Sequence, residues 1–327
     1  MKAIQLPAFA DHAELSLIDA PAPVPGDDDV LIAVKASGVN FADIMMSRGK
    51  YGDRLKPPYT PGFEAAGVVL SCGKNVTTWK VGDRVMGTVP RHICGTYAEQ
   101  AAIPAWLLMP VPEGFSFVDA AAFSEVFITA NLALRTFGKL AAGESVLVHA
   151  AGGGVGTAAV QTAKALGARV FATAGSDEKL ARVKQLGADE LINYTTGDFA
   201  VEIKQRTSDK GVDLILESIG GETFEKNLTC LRPLGRMVVF GNSSGKVAIC
   251  KSTEFANRMI SVTGFSFGAL TNSRRDIIEQ AMQSVAELLA KGAIRPIVGK
   301  TFPLAEARAA QDYILTRQNY GKVVLEV

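Results

Sequence analysis

Residues 145–179, SVLVHAAGGGVGTAAVQTAKALGARVFATAGSDEK, constrain the fold more than any other stretch of the chain. Residues 145–150 form a run of β-branched and apolar side chains short enough for a buried strand, and the run stops at Gly152-Gly153-Gly154-Val155-Gly156. Beyond it Val155, Ala159, Thr162 and Leu166 recur at helical spacing with small residues between them. One face can therefore lie close against a sheet until Gly167 ends the helix. Residues 169–174 read as a second strand. Strand, glycine turn, helix and strand make a βαβ unit of about thirty residues, the context in which a glycine pattern indicates a dinucleotide site. Gly153 lets the backbone approach a pyrophosphate, Gly156 lets the helix pack tightly on the strand, and free N–H groups at the helix start bind the anion. Ala151 takes the place of the first glycine of the usual pattern, and a Gly-rich turn can also be no more than a tight connection.

The βαβ unit sits inside a longer alternation. A helix at 176–186 with Ser176 as N-cap, a strand at 191–194, a helix at 199–206, a strand at 212–217, a helix at 221–231 and a strand at 237–240 follow it. That succession predicts a parallel, doubly wound sheet. The first third reads differently: short strands at 3–6, 30–34, 65–70, 84–86 and 107–112 are separated by turns such as Pro25-Gly26-Asp27 and Val81-Gly82-Asp83. They suggest a compact β domain. An Ala-rich segment at 119–134 without a breaker predicts one helix leading into the glycine turn. Beyond Gly264 the pattern gives a long helix at 275–291, a helix through Ile314 and a last strand at 322–327. The expected division is therefore a β-rich domain at 1–120 and 268–327 and a doubly wound domain at 121–267.

Composition narrows the function classes. Of 327 residues, 48% are hydrophobic and 20% charged, as in a well-packed globular protein, so disorder is excluded. Lys plus Arg (34) nearly equals Asp plus Glu (33) and no basic block occurs, which argues against nucleic acid and against an anionic membrane surface. The N-terminus MKAIQLPAF lacks a signal-peptide core and no apolar run is long enough to span a bilayer, so the expected location is the cytoplasm. Cys72, Cys94, Cys230 and Cys250 are scattered with no C-x-x-C, which indicates neither a disulfide framework nor a zinc lobe.

A carboxylate near the end of the second strand of such a unit binds the adenosine ribose hydroxyls of NAD. Here Ala174-Gly175 stands in that place, which leaves room for the 2′-phosphate of NADP, with Ser176, Lys179 and the Tyr194 phenol as the groups to hold it. Asp177-Glu178 keep a second reading open: they can take a ribose diol, or simply sit in a helix's first turn where the dipole favours acids. NADPH is the expected cofactor.

The chain resembles the zinc-independent quinone oxidoreductases, or zeta-crystallin-like enzymes, of the medium-chain dehydrogenase/reductase superfamily. The likeness runs over essentially the whole length. Its segments are Ser37-Gly38-Val39-Asn40-Phe41-Ala42-Asp43, Arg48-Gly49-Lys50-Tyr51, Pro61-Gly62-Phe63-Glu64-Ala65-Ala66-Gly67, His149 through Gly156, Ile192-Asn193-Tyr194 and Phe240-Gly241-Asn242-Ser243-Ser244-Gly245. Asn-Phe-Ala-Asp followed by Tyr51 and Asp53-Arg54-Leu55 resembles most the vesicle-amine-transport-type branch. The resemblance implies an α/β fold: a GroES-like β-barrel domain plus a Rossmann doubly wound parallel-sheet domain, with cofactor and substrate in the cleft between them. It also implies a homodimer formed through the sheet edge at 260–267, and it brings Asn40 and Tyr51 to the nicotinamide end as the catalytic candidates. Cofactor contacts are implied for Asn40, Thr129, Gly152, Gly153, Gly154, Val155, Gly156, Gly175, Ser176, Lys179, Tyr194, Gly241, Asn242, Phe265, Phe267 and Lys322.

Zinc alcohol dehydrogenases of the same superfamily place a Cys near Val39-Asn40 and a His where this chain has Phe63. A catalytic zinc needs three N, S or O ligands, which an asparagine and a phenylalanine do not supply. His12, His92 and His149 are the only histidines, and no metal is expected. Without a Lewis acid to ionise an alcohol, the fitting substrates are acceptors already poor in electrons, quinones and α,β-unsaturated carbonyls. An enoyl-thioester reductase is the alternative enzyme, and a nucleotide-binding structural or trafficking protein the alternative outside enzymes. Asp43 is expected to be a cap or an ion-pair partner rather than a general acid.

Overall fold

The computed structural model describes residues 1–50, 55–90 and 93–327. The chain forms two compact units, Met1–Glu125 with Pro296–Val327, and Val126–Arg295. Both boundaries lie downstream of the expected 120/121 and 267/268. The second shift has a clear cause: helix Arg275–Ala290 buries Ile278, Ala281, Met282 and Val285, and its Ser284 hydroxyl accepts a hydrogen bond from Asn131 Nδ2 at 3.0 Å. Its apolar face and its polar contact both belong to the second unit.

The first unit is built on a mainly antiparallel sheet. Its strands run in the order Val298–Pro303, Lys322–Glu326, Asp29–Val39, Glu64–Cys72, Arg84–Thr88 and Leu108–Pro110, and Gln100–Pro104 also pairs with Asp29–Val39. Lys2–Gln5 and Ser16–Asp19 pair separately. Asp29–Val39 alternates buried and partly exposed residues, the period expected of a strand with one dry face, and its last four residues are all buried. Ile4, Val39, Tyr97, Phe302, Leu304, Val323 and Leu325 close one core from both ends of the sequence.

The second unit is a six-stranded, all-parallel sheet in the order Glu190–Asn193, Arg169–Ala174, Ser145–Val148, Val212–Glu217, Leu231–Val239, Ser261–Gly264. In chain order that is 3-2-1-4-5-6, the doubly wound arrangement, and its direction reverses between Ser145–Val148 and Val212–Glu217. Every residue of Val212–Glu217 is buried, as a central strand covered on both faces requires. Ser261–Gly264 forms one edge, inside the 260–267 stretch singled out from sequence.

The Ala-rich segment departs from expectation. It is not one helix: Phe117–Ala121, Ser124–Asn131 and a wider π-type turn, Leu132–Phe137, follow one another. The first piece is started by a capping box between Ser116 and Asp119 and stops at Ala122, so composition alone did not carry the helix through. Three short helices, Phe41–Ser47, Ser252–Arg258 and Phe267–Ser273, were not foreseen. No helix among the described residues is long and apolar enough to cross a membrane.

Candidate functional site

In the second unit the glycine turn leaves Ser145–Val148 at the point where strand order reverses. Ala150 adopts φ +47, Gly153 caps helix Gly154–Ala165, and the Gly153 N–H returns to Ala150 O at 2.8 Å. A Cβ on Gly156 would stand 2.3 Å from Ala150 O and 2.6 Å from Ala151 Cα, so only glycine lets the helix start lie on the turn. At Gly153 a Cβ would meet one atom, Ala150 O at 3.3 Å, so this position is much less confined. The first N–H groups of a twelve-residue helix thus point out of a cradle fit for an anion.

Across the neighbouring strand ends lies a second polar group. Asn193 pairs with Ala174, which brings Tyr194 over Gly175; a Cβ there would be 2.7 Å from the Tyr194 hydroxyl. Ser176 caps the next helix by accepting from Lys179 N–H at 3.3 Å. Burial lowers the pKa of the Lys179 ammonium, and Glu178 opposes that shift. Asp177, one of the two acids that kept the ribose reading open, accepts from Asn193 Nδ2 at 2.8 Å. Gly241 and Asn242 follow strand Leu231–Val239, and Phe265 follows Ser261–Gly264, so all these residues share the C-terminal edge of the sheet. The Phe265 ring stacks on Phe137 with centroids 4.9 Å apart, and Phe240 lies 6.1 Å away on a nearly parallel plane. Phe267 is buried at the start of its helix, and Thr129 is buried in helix Ser124–Asn131.

Sequence reasoning missed a buried network behind the glycine turn. Asn227 Nδ2 donates to Glu217, so its Oδ1 accepts from His149 Nε2–H at 2.7 Å, and His149 Nδ1 accepts from the Thr173 hydroxyl at 3.0 Å. That order fixes the neutral imidazole with its proton on Nε2. Burial pushes the His149 pKa down against the upward pull of Glu217. Glu217 also accepts from the N–H groups of Ile219 (2.5 Å) and Gly220 (2.7 Å), which ties the loop after the central strand to the strand before the glycine turn. A histidine in an otherwise apolar strand was the available signal.

In the first unit three neighbouring strands assemble Asn40, Glu64 and Lys322. Lys322 Nζ donates to Asn40 Oδ1 at 2.5 Å and lies 2.7 Å from Glu64 Oε2. Lys322, expected among the cofactor contacts, is therefore buried and engaged within the sheet; Glu64 was not singled out as a site residue. Asp43 is a cap, one of the two roles expected of it: its Oδ2 accepts from Asn40 N–H at 2.7 Å and from the Tyr97 hydroxyl at 3.0 Å. Tyr51 and His92 lie outside the described residues. Phe63 is buried beside Glu64 with no group to bind a metal, and no cluster of three His, Cys, Asp or Glu suited to a metal occurs among the described residues. These residues do not fit a catalytic zinc.

Comparison with known proteins agrees with both units. Residues 26–113 match the alcohol dehydrogenase GroES-like domain, and residues 154–287 match the family described as zinc-binding dehydrogenase. Quinone oxidoreductase of Sus scrofa is 35% identical over 327 residues, covering 99% of this chain and 97% of that protein. The synaptic vesicle membrane protein VAT-1 homolog of Homo sapiens is 35% identical over 350 residues, covering 99% and 86%. Among solved structures, Escherichia coli quinone oxidoreductase complexed with NADPH superposes with a TM-score of 0.92 at 31% identity over the whole of both chains. With a GroES-like unit, a doubly wound unit in the 3-2-1-4-5-6 order and full-length identity above 30%, the chain belongs to the quinone oxidoreductase-like branch of the medium-chain dehydrogenase/reductase family.

Proposed function

We propose that the protein is an NADPH-dependent, zinc-independent reductase that delivers hydride to quinones or α,β-unsaturated carbonyl compounds. One observation carries the cofactor choice: the ribose end of the βαβ unit offers Ser176, Lys179 and Tyr194, while Ala174 replaces the usual strand acid and Asp177 is held by Asn193. The anion cradle at Gly152, Gly153, Gly154, Val155 and Gly156 takes the pyrophosphate, and Gly175 gives the adenosine ribose room beside Tyr194. Thr129, Gly241, Asn242, Phe265 and Phe267 complete the cofactor contacts. NADPH supplies the hydride; the protein's own part is orientation and stabilisation of the oxygen that gains charge.

Asn40 is the donor for that oxygen. Tyr51, which the family resemblance brings to the nicotinamide end, is the candidate proton source or substrate contact. The donor set around Asn40 and Phe63 favours acceptors that need no Lewis acid, which is why quinones and enones rank above alcohols. The unpaired side of the Ser261–Gly264 edge supports dimerisation through it, tested by light scattering on the purified chain.

NADPH oxidation measured in parallel with a quinone, an enone and a crotonyl thioester tests the reading. Turnover with the quinone or enone supports it. Preference for the thioester makes the chain an enoyl-thioester reductase, and tight NADPH binding without turnover on any acceptor would point to a structural or trafficking role.

A further inference from the structure

Antiparallel pairing sets Val323 opposite Val39 and Ser37 opposite Ala65. One residue further along each ladder, Lys322 comes beside Asn40, and Glu64 heads the adjoining strand. Lys322 is 3% exposed and Glu64 is 0% exposed. The ammonium lies 2.7 Å from Glu64 Oε2 off the hydrogen-bond direction, whereas its directed bond goes to Asn40 Oδ1 at 2.5 Å. The other Glu64 oxygen accepts from Glu125 N–H at 2.7 Å, so the carboxylate is fixed from both sides. Gly38 leaves space for this arrangement: a Cβ there would stand 2.6 Å from Glu64 Oε2 and 2.8 Å from Lys322 Cε.

An ammonium has donors only, so the amide atom that faces it must be the oxygen; the flipped amide would set NH2 against NH3⁺. Asn40 thereby has its acceptor turned towards a cation, which fixes the way the amide faces. Among the described residues its Nδ2 has only Gly38 O, at 3.5 Å, the outer limit of a hydrogen bond. The backbone of Asn40 is held too, by the Asp43 carboxylate on its N–H. What a half-buried asparagine would otherwise offer in either sense, donor or acceptor, is here offered in one.

We propose that Lys322, held by Glu64, is a positioning residue that locks the Asn40 amide as a donor-only group and so makes the protein selective for acceptors whose carbonyl oxygen must be polarised before hydride arrives. The inference rests on the reductase reading of Asn40. It assigns Lys322 an action through Asn40 in place of direct contact with the cofactor.

Lys322→Met alone strands the Glu64 charge inside the sheet, so the test uses the double variant Lys322→Met/Glu64→Gln, with Lys322→Arg as the conservative variant and Asn40→Asp as the isosteric loss of the donor. Two readouts are independent of turnover: the side-chain amide signals of Asn40 in protein labelled with ¹⁵N-asparagine, assigned by their loss in Asn40→Asp, and NADPH affinity by fluorescence titration. In the folded double variant the Asn40 amide signals are expected to move towards free-amide positions while NADPH affinity stays within about threefold. Enone turnover is expected to fall by about tenfold or more and quinone turnover by about threefold, the size of effect of losing one oriented donor. Lys322→Arg restores most of the enone rate, because guanidinium still donates to Oδ1. Unmoved Asn40 signals in the double variant would overturn the proposal, as would a loss of NADPH affinity as large as the loss of turnover. Failure of the reductase reading shows separately, as wild-type protein that oxidises NADPH with none of the acceptors, and the amide spectrum still decides whether Lys322 orients Asn40.

Discussion

The Asp43 carboxyl is buried, and burial raises its pKa from the ordinary 3.8 to about 7 against the downward pull of Asn40 N–H, Lys322 and the Tyr97 hydroxyl. Among the described residues, Oδ2 accepts from Asn40 N–H and the Tyr97 hydroxyl, and Oδ1 is buried with no partner. In the unfolded chain the group loses its proton near 3.8, so between about pH 4 and about pH 7 the folded state holds a proton that the unfolded state has lost. Stability is complete below that window, falls as pH rises through it, and above it the loss is complete. At about 1.36 kcal/mol per pH unit, carrying the carboxyl from 3.8 to about 7 corresponds to roughly 4 kcal/mol. Asp43→Asn keeps an oxygen to accept from Asn40 N–H and Tyr97 and cannot ionise. About two of those pH units lie above pH 5, so between pH 5 and pH 8 the variant is expected to gain about 3 kcal/mol on wild type, read as a relative rise of its unfolding midpoint in urea or heat. His149, whose pKa is lowered, loses stability in the opposite direction as pH falls, so the measurement is the variant-minus-wild-type difference at each pH. A difference that stays flat between these two conditions, or that favours wild type at the higher pH, would refute the argument.

Lys179→Ala is expected to weaken NADPH by roughly 10–100-fold and NADH little, since a charged hydrogen bond contributes about 1.5–3 kcal/mol; equal losses in fluorescence titrations would place Lys179 away from the 2′-phosphate. Dialysis against a strong chelator should leave reductase activity unchanged, and roughly one zinc per chain by elemental analysis would contradict the reading of Asn40 and Phe63. Tyr51→Phe should lower turnover by about tenfold or less, because a hydroquinone dianion or enolate can take its proton from water after the hydride has moved. A loss of about a thousandfold with cofactor binding unchanged would make Tyr51 the general acid.

What could be read from the sequence divides by range. The βαβ unit was legible because a strand, its turn and its helix are written within about thirty residues, and Gly156 declares a close approach that the fold then shows. The cap at Ser176 was legible for the same reason, being a contact between residues three apart. The single helix expected at 119–134 failed because Ala-rich composition records propensity but not where tertiary packing breaks the run at Ala122 and widens the last turn from Leu132. The 268 boundary failed because the helix Arg275–Ala290 carries an apolar face with no mark of which core receives it. Lys322 and Asn40 are 282 positions apart, and only the pairing of the last strand with Asp29–Val39 brings them within hydrogen-bond reach. The buried His149–Asn227–Glu217 network is hidden in the same way, its members drawn from the turn after one strand, a helix and the end of another strand.

The Glu64–Lys322 pair also gives a physical reason for the kind of acceptor proposed. A carboxylate with no exposure needs a cation against it, and a buried charge left unpaired is strongly destabilising. Where zinc-dependent members of the superfamily bring metal ligands, this chain has Asn40 and Phe63, and the cation beside Glu64 is an ammonium from the last strand. A single positive charge already committed to a carboxylate and to an amide oxygen cannot lower the pKa of an alcohol as a divalent metal does. Relayed through Asn40 it can do something narrower, which is to hold one N–H donor ready for an oxygen that becomes negative as hydride arrives. Such a donor helps a substrate whose carbonyl already lies next to an electron-poor carbon and does little for one that must first be deprotonated. On the reductase reading proposed above, the same contacts that make the ion pair tolerable inside the sheet bias the site towards quinones and enones.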